Sequence, residues 1–204
     1  KGNEPVKEAE FFIQRILSLE PDGIVIEPSA EFETSNKKLE AGQYLHRLRR
    51  SFSELPFALL THKFPNMHPA FPWEQFLGTV DLTFPKVFWD HAHNPRAHLI
   101  RSMSEFQNQQ PFRPVIPAVP AYTLPKWNPE ADFGLVVDSM EELKLPGLNF
   151  YTWDSAIFKD DLWQAVKKVK LAANSSIDPV IKDYFDALNS GDIELVKSCY
   201  LGDA

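Results

Sequence analysis

Five short stretches hold most of the side chains that could do chemistry. They are Glu27-Pro28-Ser29-Ala30-Glu31-Phe32-Glu33, Thr61-His62-Lys63-Phe64-Pro65, Trp89-Asp90-His91-Ala92-His93-Asn94, Pro120-Ala121-Tyr122 and Tyr151-Thr152-Trp153-Asp154. Each follows an apolar run. Glycoside hydrolysis needs one carboxyl group to protonate the leaving oxygen and a second to stabilise the oxocarbenium-like centre. Glu27, Glu31, Asp90 and Asp154 are the candidate catalytic groups, with Glu33 a further carboxylate in the first stretch. Trp89, Tyr122, Trp127 and Trp153 offer faces for stacking on sugars, and His62 and His93 add polar contacts. A carboxylate that ends an apolar strand, as Glu27 does, needs a partner. The competing reading makes Glu31 and Glu33 solvated loop charges, and Trp89 and Trp153 core aromatics.

A second chemistry is metal-dependent hydrolysis. His91-Ala92-His93 places two imidazoles on one side of an extended segment, with Asp90, His62 and Asp154 as further ligands. A single His-x-His pair is weak support, and His93 before Asn94-Pro95 reads better as a loop-fixing residue. His68 and His98 read as surface residues. No cofactor is predicted, since no glycine-rich turn follows a strand, and nucleophilic serine catalysis is poorly supported, since there is no Gly-x-Ser-x-Gly elbow.

Elements that position these groups follow from periodicity. Residues 5–19 place Ala9, Phe12, Ile13 and Ile16 on one helical face. Ile24-Val25-Ile26 is a buried strand, 36–52 a helix, Phe57–Thr61 a strand, 73–77 a short helix and Lys86–Trp89 a strand. Then come a helix over 95–107, a strand over Pro114–Ala118, a helix over 129–143, a strand over Gly147–Tyr151 and a helix over 160–172. Strand starts near 24, 57, 86, 114 and 147 leave room for a helical crossover between parallel strands. The class is α/β, with function expected at the carboxyl ends of the strands. Residues 174–204 read as a two-helix extension, opened by Asp178-Pro179.

Composition bounds the partners. The 204 residues carry a net charge of −7, which argues against nucleic acid as the main partner. No apolar run approaches the ~20 residues of a membrane span. The one cysteine, Cys199, excludes a disulfide within the chain, so compartment is not legible from cysteine usage. Seventeen prolines, sixteen phenylalanines and five tryptophans gather after the apolar runs, and so predict stiff, aromatic-walled loops there.

Several phrases resemble bacterial glycosidase-like barrels, and more distantly family 25 glycoside hydrolases, the lysozyme-type muramidases. They are the stretch from Asn3-Glu4-Pro5 to Ile26-Glu27, Phe71-Pro72-Trp73, Ala92-His93-Asn94-Pro95, Phe106-Gln107-Asn108 and Pro114-Val115-Ile116-Pro117. The resemblance covers about residues 3–172. It implies a (β/α)8 TIM-barrel-like fold, with residues 1–173 its C-terminal part, carrying strands four to eight, and residues 174–204 an extension. A missing N-terminal segment or a second chain would complete the barrel. It further implies an O-glycosyl hydrolase acting on a polysaccharide or peptidoglycan, and hence an extracellular or cell-wall location. One departure stands out. Family 25 enzymes carry Asp-x-Glu at the end of the fourth strand, where this chain has Glu27 and Ser29. A serine cannot be the acid. Either Glu27 or Glu31 substitutes, or the barrel is a degenerate glycan-binding or structural module.

Overall fold

The computed structural model describes residues 4–33, 37–90, 94–122, 128–152, 155–156 and 159–169. Five parallel strands pair in sequence order: β1 (Ile24–Ile26), β2 (Phe57–His62), β3 (Leu82–Lys86), β4 (Ala118–Pro120) and β5 (Asn149–Tyr151). They curl into a half-barrel, and helices alternate with them. The helices are α1 (Pro5–Ile16), α2 (Lys38–Ser51), α3 (Trp73–Leu77), α4 (Pro95–Gln107), α5 (Pro129–Glu142) and α6 (Asp160–Lys168). The α/β class and the partial TIM-like barrel expected from the sequence are thus observed. Among the described residues no helix is long and apolar enough to cross a membrane. The extension expected over 174–204 lies outside the described residues.

Local sequence explains the helix starts. Asn94 and Asn128 cap α4 and α5 by accepting from the backbone N–H of Ala97 (3.0 Å) and Ala131 (3.2 Å). Each Asn is followed by a proline at the first helical position, where a missing N–H costs nothing.

Two strand positions differ from expectation. β3 spans Leu82–Lys86, not Lys86–Trp89, and β4 spans Ala118–Pro120, with Val115 making an isolated bridge to Thr83. Pro85 has no N–H to give to a neighbouring strand. Here it is tolerated inside a parallel strand, opposite Thr61. The chain stays bonded to β4 beyond β3, because Val87 N–H donates to Ala118 O at 2.8 Å.

Side-chain alternation sorts the two faces of the sheet. Ile24, Ile26, Phe57 and Leu59 pack outward with Ala9 and Ile13 of α1, Leu45 and Leu48 of α2, and Phe76 of α3. A second outward core joins Val87, Trp89 and Val119 to Leu99, Phe133, Val136, Met140 and Leu162. The intervening residues line the concave face. Register aligns Ala58, Leu60 and His62 with Leu82, Phe84 and Lys86. Val25, on the concave side of β1, is half exposed.

At the N-terminal ends of the strands, Arg49 of α2 staples the sheet. Its guanidinium donates to Leu55 O (2.8 Å), Thr79 O (2.6 Å) and Asp81 Oδ2 (2.9 Å), and lies over the Phe57 ring. Asp81 Oδ2 also accepts from Phe57 N–H at 2.7 Å. This closes the starts of β2 and β3 together.

Candidate functional site

Concave-face alternation carries polar groups onto the rim at the carboxyl ends of the strands. Glu27 follows β1, His62 ends β2 and Lys86 ends β3. Lys86 Nζ reaches across the β2 position to Glu27 Oε1 at 2.8 Å, which supplies the partner that a strand-end carboxylate requires. Beside this pair, His62 Nε2 lies 3.0 Å from Glu33 Oε1, and His68 Nδ1 lies 3.1 Å from Glu33 Oε2. The two imidazoles stack, with centroids 3.6 Å apart and planes 11° from parallel. Glu33 comes from the 3-10 turn Ala30–Glu33, and His68 directly follows the 3-10 turn Pro65–Met67.

Partial burial holds the His62 proton affinity below its ordinary value. The neighbouring His68 and Lys86 charges act in the same direction, and Glu33 opposes them. His62 is therefore neutral at neutral pH. Its ring and that of His68 form, with Glu33, a set of three donor groups that could hold a metal ion.

The loop carrying His68 is held from several sides. His68 N–H donates to Pro65 O (2.9 Å), and His68 O accepts from Trp73 Nε1 (2.9 Å) and Phe71 N–H (3.1 Å). Glu105 of α4 is buried, accepts from Asn66 N–H (2.9 Å) and pairs with Arg101 (2.8 Å). His68, expected as a surface residue, is part exposed, and a turn of proline-rich chain folds it back against His62.

Farther along the rim the character turns aromatic. Phe88 meets Tyr122 edge-on at 5.8 Å and Tyr151 at 5.4 Å. Tyr122 donates its hydroxyl to Asp90 Oδ1 at 3.0 Å. Burial, then the hydrogen bond to Asp90 and its charge, push the Tyr122 phenol well above its ordinary value, so it remains a donor. Lys63 donates to Phe88 O and lies 3.3 Å from His98 Nδ1. Burial, followed by the Lys63 charge, lowers the His98 proton affinity. His98, expected as a surface residue, is half-buried and packs edge-on against Phe64.

Of the residues singled out from the sequence, Glu27 and His62 sit in one rim cluster and Asp90 and Tyr122 in the other. Glu31 accepts a hydrogen bond from the Ser29 hydroxyl in the loop after β1. Trp89 is fully buried in the second core, so its ring has no face open to a sugar. His91, His93, Trp127, Trp153 and Asp154 lie outside the described residues. Glu33, a further candidate carboxylate in the sequence, joins the first cluster, whereas Lys86 and His68 are rim residues that were not among the predicted site residues. A cleft of about 410 Å³ opens beside the β1 end, lined by Glu27, Ser29, Phe12, Phe32 and Tyr44 among others. No protein-family model and no curated protein matches the chain.

Proposed function

We propose that this chain belongs to a glycoside-hydrolase-like barrel that holds a polysaccharide or peptidoglycan strand along the strand-end rim. One observation carries the reading: the concave rim runs from the Glu27–Lys86 pair through His62 to Asp90, Tyr122, Phe88 and Tyr151. Sugars present hydroxyl groups to carboxylates and ammonium groups, and C–H faces to aromatic rings. A rim with both is suited to them. Under this reading Glu27 and Asp90 act as the catalytic carboxylates, with Glu31 beside the first. The half-barrel supports a further point. β1 stands at the end of the strand order and has no partner on its outer side among the described residues. Further strands, from additional chain or a second chain, would pair at that edge.

The test is release of reducing ends from purified peptidoglycan and soluble polysaccharides. Cleavage by the wild-type chain, lost in the Glu27→Gln/Glu31→Gln double variant, supports the catalytic assignment. Cleavage that survives the double variant overturns it.

A second reading, glycan binding without hydrolysis, is favoured by the engagement of Glu27 and Asp90, the two carboxylates proposed for chemistry. Glu27 meets Lys86 and Asp90 meets the Tyr122 hydroxyl, while cleavage needs one carboxyl group free to donate a proton. Under this reading the chain co-sediments with peptidoglycan, releases no reducing ends, and loses retention in a Tyr122→Ala variant.

A further inference from the structure

Glu33, His62 and His68 converge from three separate segments: the turn after β1, the end of β2 and the loop that follows it. We propose that these three residues form a binding site for a divalent transition-metal ion of the zinc class. The inference is independent of the glycan reading.

The argument is geometric first. One ligand atom from each residue can be chosen so that all lie within 4.8 Å of one another. The two nitrogen–oxygen separations are 3.0 and 3.1 Å. In a tetrahedral zinc site with bonds of about 2.0–2.1 Å, ligand atoms stand about 3.3–3.4 Å apart. The three donors are therefore already near ligand spacing, although the two separations run to different oxygens of Glu33 and the rings stack face to face, so binding turns the two imidazoles and the carboxylate until one atom of each faces a single ion.

The donor chemistry agrees. Two imidazoles and one carboxylate make a borderline set that suits zinc over calcium or magnesium, which prefer all-oxygen sites. Three protein ligands leave the fourth position to water or to a substrate oxygen, the pattern of reactive rather than structural zinc sites.

The supporting shell is built as well. His68 is fixed through its own backbone by Pro65, Phe71 and Trp73, and its loop is tied to the buried Glu105 through Asn66 N–H. The His62 ring meets the edge of Phe71 at 6.0 Å. Such outer-shell packing orients metal ligands and limits the cost of organising them on binding. The competing account is a plain hydrogen-bonded triad, in which Glu33 accepts from two ring N–H groups and no ion binds.

The experiment is calorimetric titration of the full, metal-stripped chain with Zn²⁺, repeated with Co²⁺ and its visible spectrum. Saturable binding of one ion per chain is the expected result, with a Co²⁺ spectrum of low coordination number. Glu33→Gln and His68→Gln should each weaken binding by at least about 100-fold, the upper end of the loss from removing an outer-shell partner. A His46→Ala variant, at an exposed position of α2, should bind as the wild type does. Circular dichroism verifies folding of each variant. Should the ligand variants fail to fold, paramagnetic broadening decides in the wild-type chain. Substoichiometric Co²⁺ should then perturb the His62 and His68 ring signals before any other histidine. Three results overturn the proposal: no saturable binding, binding unchanged in Glu33→Gln and His68→Gln, or perturbation centred on other histidines.

Discussion

The two ends of the sheet use the same kinds of side chain for different purposes. At the N-terminal ends of β2 and β3, Arg49 and Asp81 spend their polar atoms on backbone groups and on each other. At the C-terminal ends, Glu27, Lys86, Glu33, His62 and His68 meet mainly other side chains and remain partly exposed. A charge that satisfies backbone groups locks the fold. A charge held by another flexible side chain can exchange that partner for a ligand. The division matches the general rule for β/α barrels, where the bottom face serves stability and the top face function.

The largest expected effect tests where Trp89 belongs. It stands next to rim residue Asp90 but is buried in the second core. Trp89→Ala should therefore cost about 3–5 kcal/mol of stability, the usual loss for a large buried aromatic, measured by urea unfolding. A well-folded variant that has lost only glycan affinity would move Trp89 into the site. Next is the bottom staple. Asp81→Ala leaves the Phe57 N–H and Arg49 short of an acceptor, for a loss of about 2–3 kcal/mol. Glycan retention by the folded fraction should be unchanged. Asn94→Ala removes the cap of α4, at a cost of about 1 kcal/mol, read as a shift in urea midpoint without change in slope.

Glu27→Gln should shift stability by no more than about 0.5 kcal/mol, because its pair with Lys86 is part exposed, yet it should weaken glycan binding clearly. A large stability loss instead would make Glu27 a second staple and erase the contrast between the ends. The smallest effect is on pH dependence. His98 holds its proton less readily in the fold than its ordinary value of 6.5, so the unfolded chain binds the proton more readily. Stability is then complete above that value and declines as pH falls through it. Unfolding midpoints across pH 5–8 should show a shallower decline in His98→Gln than in the wild type.

Much of this was readable from the chain. Apolar runs about 30 residues apart, separated by amphipathic stretches, define the order of strands and helices; they fit an open sheet as well as a barrel, and the barrel was expected only from the resemblance. Strict alternation in β2 also sorts its faces: Phe57, Leu59 and Thr61 against Ala58, Leu60 and His62. The same rule applied to Val87-Phe88-Trp89 would have set Trp89 with Val87 in the core and Phe88 on the concave side, as observed. The Glu33–His68 contact was not legible. It joins residues 35 apart through two irregular turns, and neither helical nor strand periodicity spans such a gap. The one local sign was His62 and His68 on either side of Phe64-Pro65, a proline turn able to bring the chain back upon itself.

The most direct test of the division between the ends is a titration of the isotope-labelled chain with soluble peptidoglycan glycan strands, followed by nuclear magnetic resonance. Saturable shifts should concentrate at Glu27, His62, Lys86, Asp90 and Tyr122, with Arg49, Asp81 and their neighbours unmoved. Shifts centred on Arg49 and Asp81 or on the helical face, or no saturable shifts at all, would contradict the assignment of the rim as the functional end.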